Sequence, residues 1–132
     1  LTYDCNTTTW RTMQKGEHAG QPIIVSKSAN YTVVATDKSG TTFLATTGAV
    51  TFTLPSPSGR AGAYFNFVNT ANAIMLVQTA TADTLITDGD SQADSVSFAT
   101  ASHMIGGRLF VWCDGTNWYA FNASGCTMTI AT

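Results

Sequence analysis

The chain has 132 residues, a formal net charge of -2 and charged side chains at only 11% of positions. That length suits one domain with its own core, large enough to hold without disulfide or metal staples. The near-neutral balance excludes the basic face that a nucleic acid requires and the polybasic patch that an anionic membrane attracts.

No run of 18 apolar residues occurs, so no helical membrane span is expected. No basic stretch leads into an apolar one, so no signal peptide is expected either. Free-standing domains usually carry about 25–35% charged residues on their surfaces. Here Thr, Ser, Asn and Ala must cover much of the exterior instead, either as an ordinary hydroxyl-rich β surface or as one suited to a partner. A partner can approach such a surface closely because few ions have to be desolvated.

The first segment, LTYDCNTTTWRTMQKGEHAGQPII, follows neither the period of 2 of a strand nor the period of 3.6 of a helix. Residues 1–27 are read as a short irregular N-terminal arm that becomes ordered against a partner. Tyr3, Trp10, Arg11 and Met13 are its candidate partner-binding residues, because large side chains of this kind anchor interfaces.

From Ile23 onward, short runs of Val, Ile, Thr and Phe alternate with Gly, Pro, Asn, Asp and Ser clusters, the pattern of consecutive strands and turns. Strands are expected near Tyr31–Thr36, Thr42–Thr46, Val50–Leu54, Ala63–Val68, Ala73–Thr79, Thr84–Ile86, Ser95–Ala99, Arg108–Trp112, Trp118–Phe121 and Thr127–Ile130. Breaks such as Ser39-Gly40, Thr47-Gly48 and Gly106-Gly107 fall at intervals suited to a meander or Greek key. No segment offers an amphipathic helix of three uninterrupted turns. Residues 28–132 are therefore expected to form an all-β domain, a two-sheet jelly-roll-like β-sandwich.

Alternation assigns the faces of the main strands. Val50, Phe52 and Leu54 share one face and Thr51 and Thr53 the other. Phe65 and Phe67 oppose Tyr64, Asn66 and Val68. In Arg108–Cys113, Leu109 and Val111 share one side, and Phe110 and Trp112 the other. A strand apolar on both faces implies a second sheet or a second subunit against its outer side. Asp114-Gly115-Thr116-Asn117 then reverses the chain, with Gly115 free to take a positive φ. Trp112 and Trp118 are expected to approach across this hairpin. Trp112, Asp114, Gly115, Trp118 and Tyr119 are the candidate residues of a subunit interface or a purely structural hairpin.

Nothing in the chain has the spacing of a catalytic motif. His18 and His103 have no nucleophile elbow or tied acid beside them. Asp83, Asp88, Asp90 and Asp94 lack the alternating ligand pattern of a calcium loop and read as solvated turns. Cys5, Cys113 and Cys126 have neither metal spacing nor an even count, so reduced thiols are expected, with a Cys113–Cys126 bridge the lesser alternative. The sequons at Asn6, Asn30 and Asn122 are no more than this Thr and Ser content produces by chance. Tyr64, Trp118 and Tyr119 could stack on sugar rings, although packing is the commoner use of such residues. No catalytic residue, metal or cofactor is expected, and the chain is not read as an enzyme.

Together these blocks carry a resemblance. Asp37, Ser39, Gly40 and Phe43 form a D-x-S-G-x-x-F turn. Val50, Thr51, Leu54 and Pro55 follow as V-T-x-x-L-P, and then comes Gly62. Phe65, Phe67, Val68 and Asn69 make an F-x-F-V-N strand, Asp83, Thr84 and Ile86 end an aliphatic one, and Asp114 through Trp118 close the pattern as D-G-T-N-W. Across roughly residues 30–121 the chain resembles a β domain of tailed-phage virion proteins. Such domains occur in capsid decoration (cement) proteins, head fibres and tail-fibre tips, often as trimers. Without a repeat, a heptad stalk or a collagen-like tract, the chain suits a decoration protein better than a fibre. The resemblance implies a structural protein of the capsid surface, made in the host cytoplasm, with the major capsid protein as partner and a homotrimeric state. The alternative it implies is a fibre tip that recognises a host-surface glycan.

Overall fold

The computed structural model describes residues 2–4, 9–11 and 23–132, the first two stretches by their backbone alone. Thr2–Asp4 (β1) and Thr9–Arg11 (β2) pair antiparallel, with Tyr3 opposite Trp10. The backbones of Tyr3, Trp10 and Arg11 thus lie in a two-stranded ribbon, whereas Met13 lies outside the described residues.

The rest is a sandwich of two sheets, and no helix occurs among the described residues. Its strands are Ile24–Lys27 (β3), Tyr31–Thr32 (β4), Thr42–Ala45 (β5), Val50–Leu54 (β6), Tyr64–Asn69 (β7), Met75–Thr79 (β8), Leu85–Thr87 (β9), Asp90–Ala93 (β10), Ser95–Phe98 (β11), Arg108–Cys113 (β12), Trp118–Asn122 (β13) and Thr129–Ala131 (β14). One sheet runs β10-β9-β13-β12-β7-β5-β3 and the other β14-β11-β8-β6-β4. The two-sheet all-β architecture expected from the sequence is present.

The connectivity of the first half differs from the expected meander or Greek key. From β3 to β8 the chain crosses to the opposite sheet after every strand. Two reversals restore its direction, so β3, β5 and β7 are mutually parallel, as are β4, β6 and β8. The register follows from side-chain layering: Phe43 lies beside Phe67 and Phe52 beside Val77 in successive turns of this coil. Antiparallel pairing enters with β12, which joins β7 and β13, and with β11, which joins β8 and β14.

The core is an aromatic cluster laid down by the period-two pattern. Phe43, Phe65 and Phe67 project from the seven-stranded sheet and Phe52 from the other, and all are buried. Ring centroids of Phe52 and Phe67 lie 4.8 Å apart across the gap between sheets, and those of Phe43 and Phe67 are 5.5 Å apart within one sheet. Edge-tilted and offset contacts at such distances are the favoured aromatic geometries. Val50, Leu54, Met75, Val77, Val96, Phe98, Leu109 and Val111 complete the layer.

Besides β1 and β2, two strands of the sandwich are additions to those read from the sequence. β3 occupies the last four residues of the span assigned to the arm and forms an edge of the seven-stranded sheet. Its four residues are too few to show a period against a flanking proline. β10 is polar, and only Ala93 within it is buried. The largest shortening is in β4, which stops at Thr32, where the Asp37 carboxylate accepts hydrogen bonds from Tyr31 Oη at 2.6 Å and Val34 N at 2.9 Å. A turn closed by Asp37 N donating to Val34 O replaces the rest of that strand.

Phe67→Ala is expected to cost about 3–5 kcal/mol in a denaturant unfolding experiment, as for other fully buried aromatic truncations. A Cβ on Gly107 would stand 2.6 Å from Phe98 Cγ, whereas one on Gly125 meets nothing within 4 Å. Gly107→Ala is therefore expected to lower stability by about 1–3 kcal/mol through overpacking. Gly125→Ala should change it little by comparison.

Candidate functional site

The closing hairpin is built from a four-residue turn between β12 and β13. Asp114 Oδ1 accepts from Thr116 N at 2.8 Å and from Asn117 N at 2.7 Å, and Asp114 N donates to Asn117 O at 3.2 Å. Gly115 supplies the positive φ of 95° that this reversal needs, a conformation costly for side chains with a Cβ. Asp114 Oδ2 accepts a third bond, from Tyr119 Oη at 2.8 Å.

The turn sets a register in which Cys113 faces Trp118 and Trp112 faces Tyr119. The expected approach of Trp112 to Trp118 is therefore corrected. Consecutive residues of a strand point to opposite faces, and this register sends one tryptophan in and the other out. Trp118 is fully buried, its ring 6.2 Å from that of Phe65, with Nε1 donating to Pro55 O at 2.8 Å. Trp112 is 38% exposed and stacks on Tyr119 at 4.5 Å with an interplanar angle of 13°. Of the five hairpin candidates, Trp118 serves the core, Asp114 and Gly115 shape the turn, and Trp112 and Tyr119 face outward.

Around that outward pair the seven-stranded sheet assembles a larger surface. The pairings place Ile86, Tyr119, Trp112 and Tyr64 in one row across four strands. Phe121, Phe110, Asn66, Thr42 and Ile24 form the next. Arg108, Val68, Leu44 and Ser26 form the third. Tyr64, Trp112 and Phe121 are each about two-fifths exposed, and Ile24 more so. At usual strand spacings the rows occupy roughly 24 Å by 14 Å. Arg108, at the margin, is the one charged side chain in them.

The opposite exterior, on the five-stranded sheet, is different in kind. Its rows are Thr129, Ser97, Leu76 and Thr51, then Ala131, Ser95, Gln78, Thr53 and Thr32. Gln78 Nε2 donates to Thr53 Oγ1 at 3.1 Å within this hydroxyl layer. The sandwich thus has one hydroxyl-covered face and one aromatic face.

Among the polar residues considered for chemistry, His103, Asp90 and Asp94 make hydrogen bonds that tie loops and turns together. His103 Nδ1 accepts from Thr127 N at 3.2 Å, tying two loops together. Asp94 Oδ1 accepts from Asp83 N at 3.0 Å, and Asp90 accepts from Gln92 N and Thr132 Oγ1. No group of three His, Cys, Asp or Glu side chains suited to a metal gathers among the described residues. Cys113 and Cys126 are free thiols, and burial pushes the Cys113 thiol up. Cys5 and His18 lie outside the described residues. No family model, curated protein or solved structure matches this chain.

Sequence reasoning named Trp112 and Tyr119 as interface candidates, set the Phe110 and Trp112 face of β12 against a second sheet or subunit and gave Tyr64 a possible stacking role, but left Phe121 out. Alternation separates Phe110 from Leu109 and Val111, and Tyr64 from Phe65 and Phe67. What it lacks is the register that lines three strands into one surface.

Hydrogen bonds from Asn117 N, Thr116 N and Tyr119 Oη hold the Asp114 carboxyl below the usual carboxylate range. Its folded value is depressed, so its contribution is complete above about pH 4 and is lost as pH falls through the folded value. The near-ultraviolet circular dichroism of the Trp112–Tyr119 stack is expected to weaken on acidification below that point. In Asp114→Ala it should be weak already at neutral pH. At the other extreme, the hydrogen bond to Asp37 pushes Tyr31 up to about 12. Its contribution is present below about pH 10 and lost as pH rises through 12. Absorbance titration should show Tyr31 ionising near 12, and Asp37→Asn should move that step to lower pH while leaving Tyr119, raised by its bond to Asp114, unchanged.

Proposed function

We propose that this chain is a structural protein of a tailed-phage particle, a capsid decoration (cement) protein that binds the outer shell and stabilises it by bridging capsid subunits. The observation that carries this reading is the aromatic surface, charged only at marginal Arg108, on the outer face of the seven-stranded sheet. Contiguous apolar patches of this kind mark protein interaction sites, and aromatic side chains dominate the energetics of such interfaces. The resemblance of residues 30–121 to tailed-phage virion domains supplies the particle. The low charge of the chain suits permanent seating against neighbours.

In this reading the rigid sandwich sits in a homotrimer, and the arm, with Tyr3, Trp10, Arg11 and Met13, reaches across the major capsid protein. Several contacts made by one molecule must open together before it leaves, so linked weak contacts give slow release. The reaction is binding alone, without a nucleophile, a cofactor or a metal.

The alternative, a fibre tip that stacks aromatics on a host glycan, has less to work with. Trp118 is in the core, and Trp112 and Tyr119 turn one ring face each toward the other.

The test is cosedimentation of the purified protein with capsids stripped of their decoration. Full-length protein is expected to saturate the shell and raise its disruption temperature. A variant lacking residues 1–21 should lose capsid binding while keeping the unfolding transition of the sandwich. Undiminished binding by that variant would contradict the clamp, and binding to a glycan array in place of capsids would favour the fibre tip.

A further inference from the structure

The coil of β3 to β8 has an open end. β3 pairs with β5 and β4 with β6, and neither has a second neighbour among the described residues. Both sheets therefore end in a bare strand edge on the same side of the sandwich. Ile23 O and Lys27 O accept from Thr42 N and Thr46 N. Successive strand residues direct their backbone groups to alternate edges, so those of Ile24 and Ser26 point away from β5. An edge of this kind is a template for another strand.

Three side chains meet at this end. Val25 and Lys27 lie on the core side of β3, in line with buried Phe43 and Ala45. Lys27 crosses the gap between the sheets to Tyr31 of β4, with Nζ 3.7 Å from the centre of its ring. That ring packs on Phe43 at 5.5 Å, and its hydroxyl donates to Asp37 Oδ2 at 2.6 Å. The same oxygen accepts from Val34 N at 2.9 Å beyond the end of β4, which is only two residues long. An ammonium thus stands at the mouth of the core, where the interior pattern of β3 calls for an apolar side chain.

We propose that Lys27, held on the ring of Tyr31, keeps the open end of the coil from joining the same end of a second copy. Pairing of two β3 edges about a two-fold axis is antiparallel. It sets Ile24 opposite Ser26 of the other copy, and each such pair exchanges both of its backbone bonds. Val25 then faces its own equivalent, and Lys27 lies opposite Ile23 of the other copy and diagonal to its Val25. The backbone and the apolar neighbours suit this pairing, and Lys27 does not. Its ammonium would be enclosed by Ile23, Val25 and Tyr31, and a buried charge without an ionic partner is costly. In the single chain the stem covers the core while the ammonium keeps water on its outer side. Inward-pointing charges and very short edge strands are both general protections of sheet edges, and this end has one of each. The opposite end of the sandwich is closed differently: Thr132 Oγ1, just past β14, donates to Asp90 Oδ2 of β10 at 2.6 Å and so links the two sheets.

The test is sedimentation equilibrium of the full chain at neutral pH, with each variant compared to wild type at the same concentrations. Lys27→Met keeps an unbranched stem and removes the charge, and its self-association is expected to be at least about tenfold tighter than that of wild type. Lys27→Gln is a second uncharged variant with a polar tip, and it too should associate more than wild type. Lys27→Arg keeps the charge and should match wild type. Ser26→Pro, added to Lys27→Met, removes an edge N–H at a position where proline is tolerated, and it should restore wild-type behaviour. Near-ultraviolet circular dichroism from buried Trp118 verifies each fold, and if one uncharged variant does not fold, the other decides. Uncharged variants that associate no more than wild type would overturn the proposal. So would association in Lys27→Met that survives Ser26→Pro, or equal association in Lys27→Arg.

Discussion

A strand can hide only one of its two faces inside a two-layer sandwich, and β12 is apolar on both. Leu109, Val111 and Cys113 take the core side, where they pack under the aromatic cluster of Phe43, Phe52, Phe65 and Phe67. That choice leaves Phe110 and Trp112 on the outside. The register of β7 and β13 then aligns Tyr64, Tyr119 and Phe121 with them. The exterior surface is thus a consequence of how the interior is packed. Breaking the register by one residue would exchange the two sets and expose the core.

The Asp114 turn holds that register at its open end. Four residues separate Cys113 from Trp118, and three bonds to one carboxylate fix the reversal. Trp118 carries the constraint inward, because its indole both packs on Phe65 and donates to Pro55 O. Asp114 carries it outward through Tyr119. One acidic side chain thereby ties the turn beside Trp118 to the outward aromatic face, which explains an aromatic hairpin that has nothing reactive near it.

Much of the sandwich was legible in the sequence. The strand Val50–Leu54 has the expected limits, and alternation set Phe65 and Phe67 opposite Tyr64 and Asn66, and Phe110 opposite Leu109 and Val111. The parallel coil of β3 to β8 was not legible, since turn residues mark where a chain reverses but not which sheet it enters next. β10 was hidden by its polar composition, and the Trp112–Trp118 pairing failed because a register cannot be read from two residue names. The same limit hid the aromatic face, whose members come from strands more than 40 residues apart in the chain.

The central claim is that the aromatic exterior of the seven-stranded sheet is covered by protein in the working assembly. Oxidative footprinting of that assembly, compared with the dilute chain, tests it most directly. Tyr64, Trp112 and Phe121 are expected to become protected together, while Ile74 and Ile105, exposed elsewhere on the molecule, keep their reactivity. Equal oxidation of Trp112 and Phe121 in the two states would contradict the account.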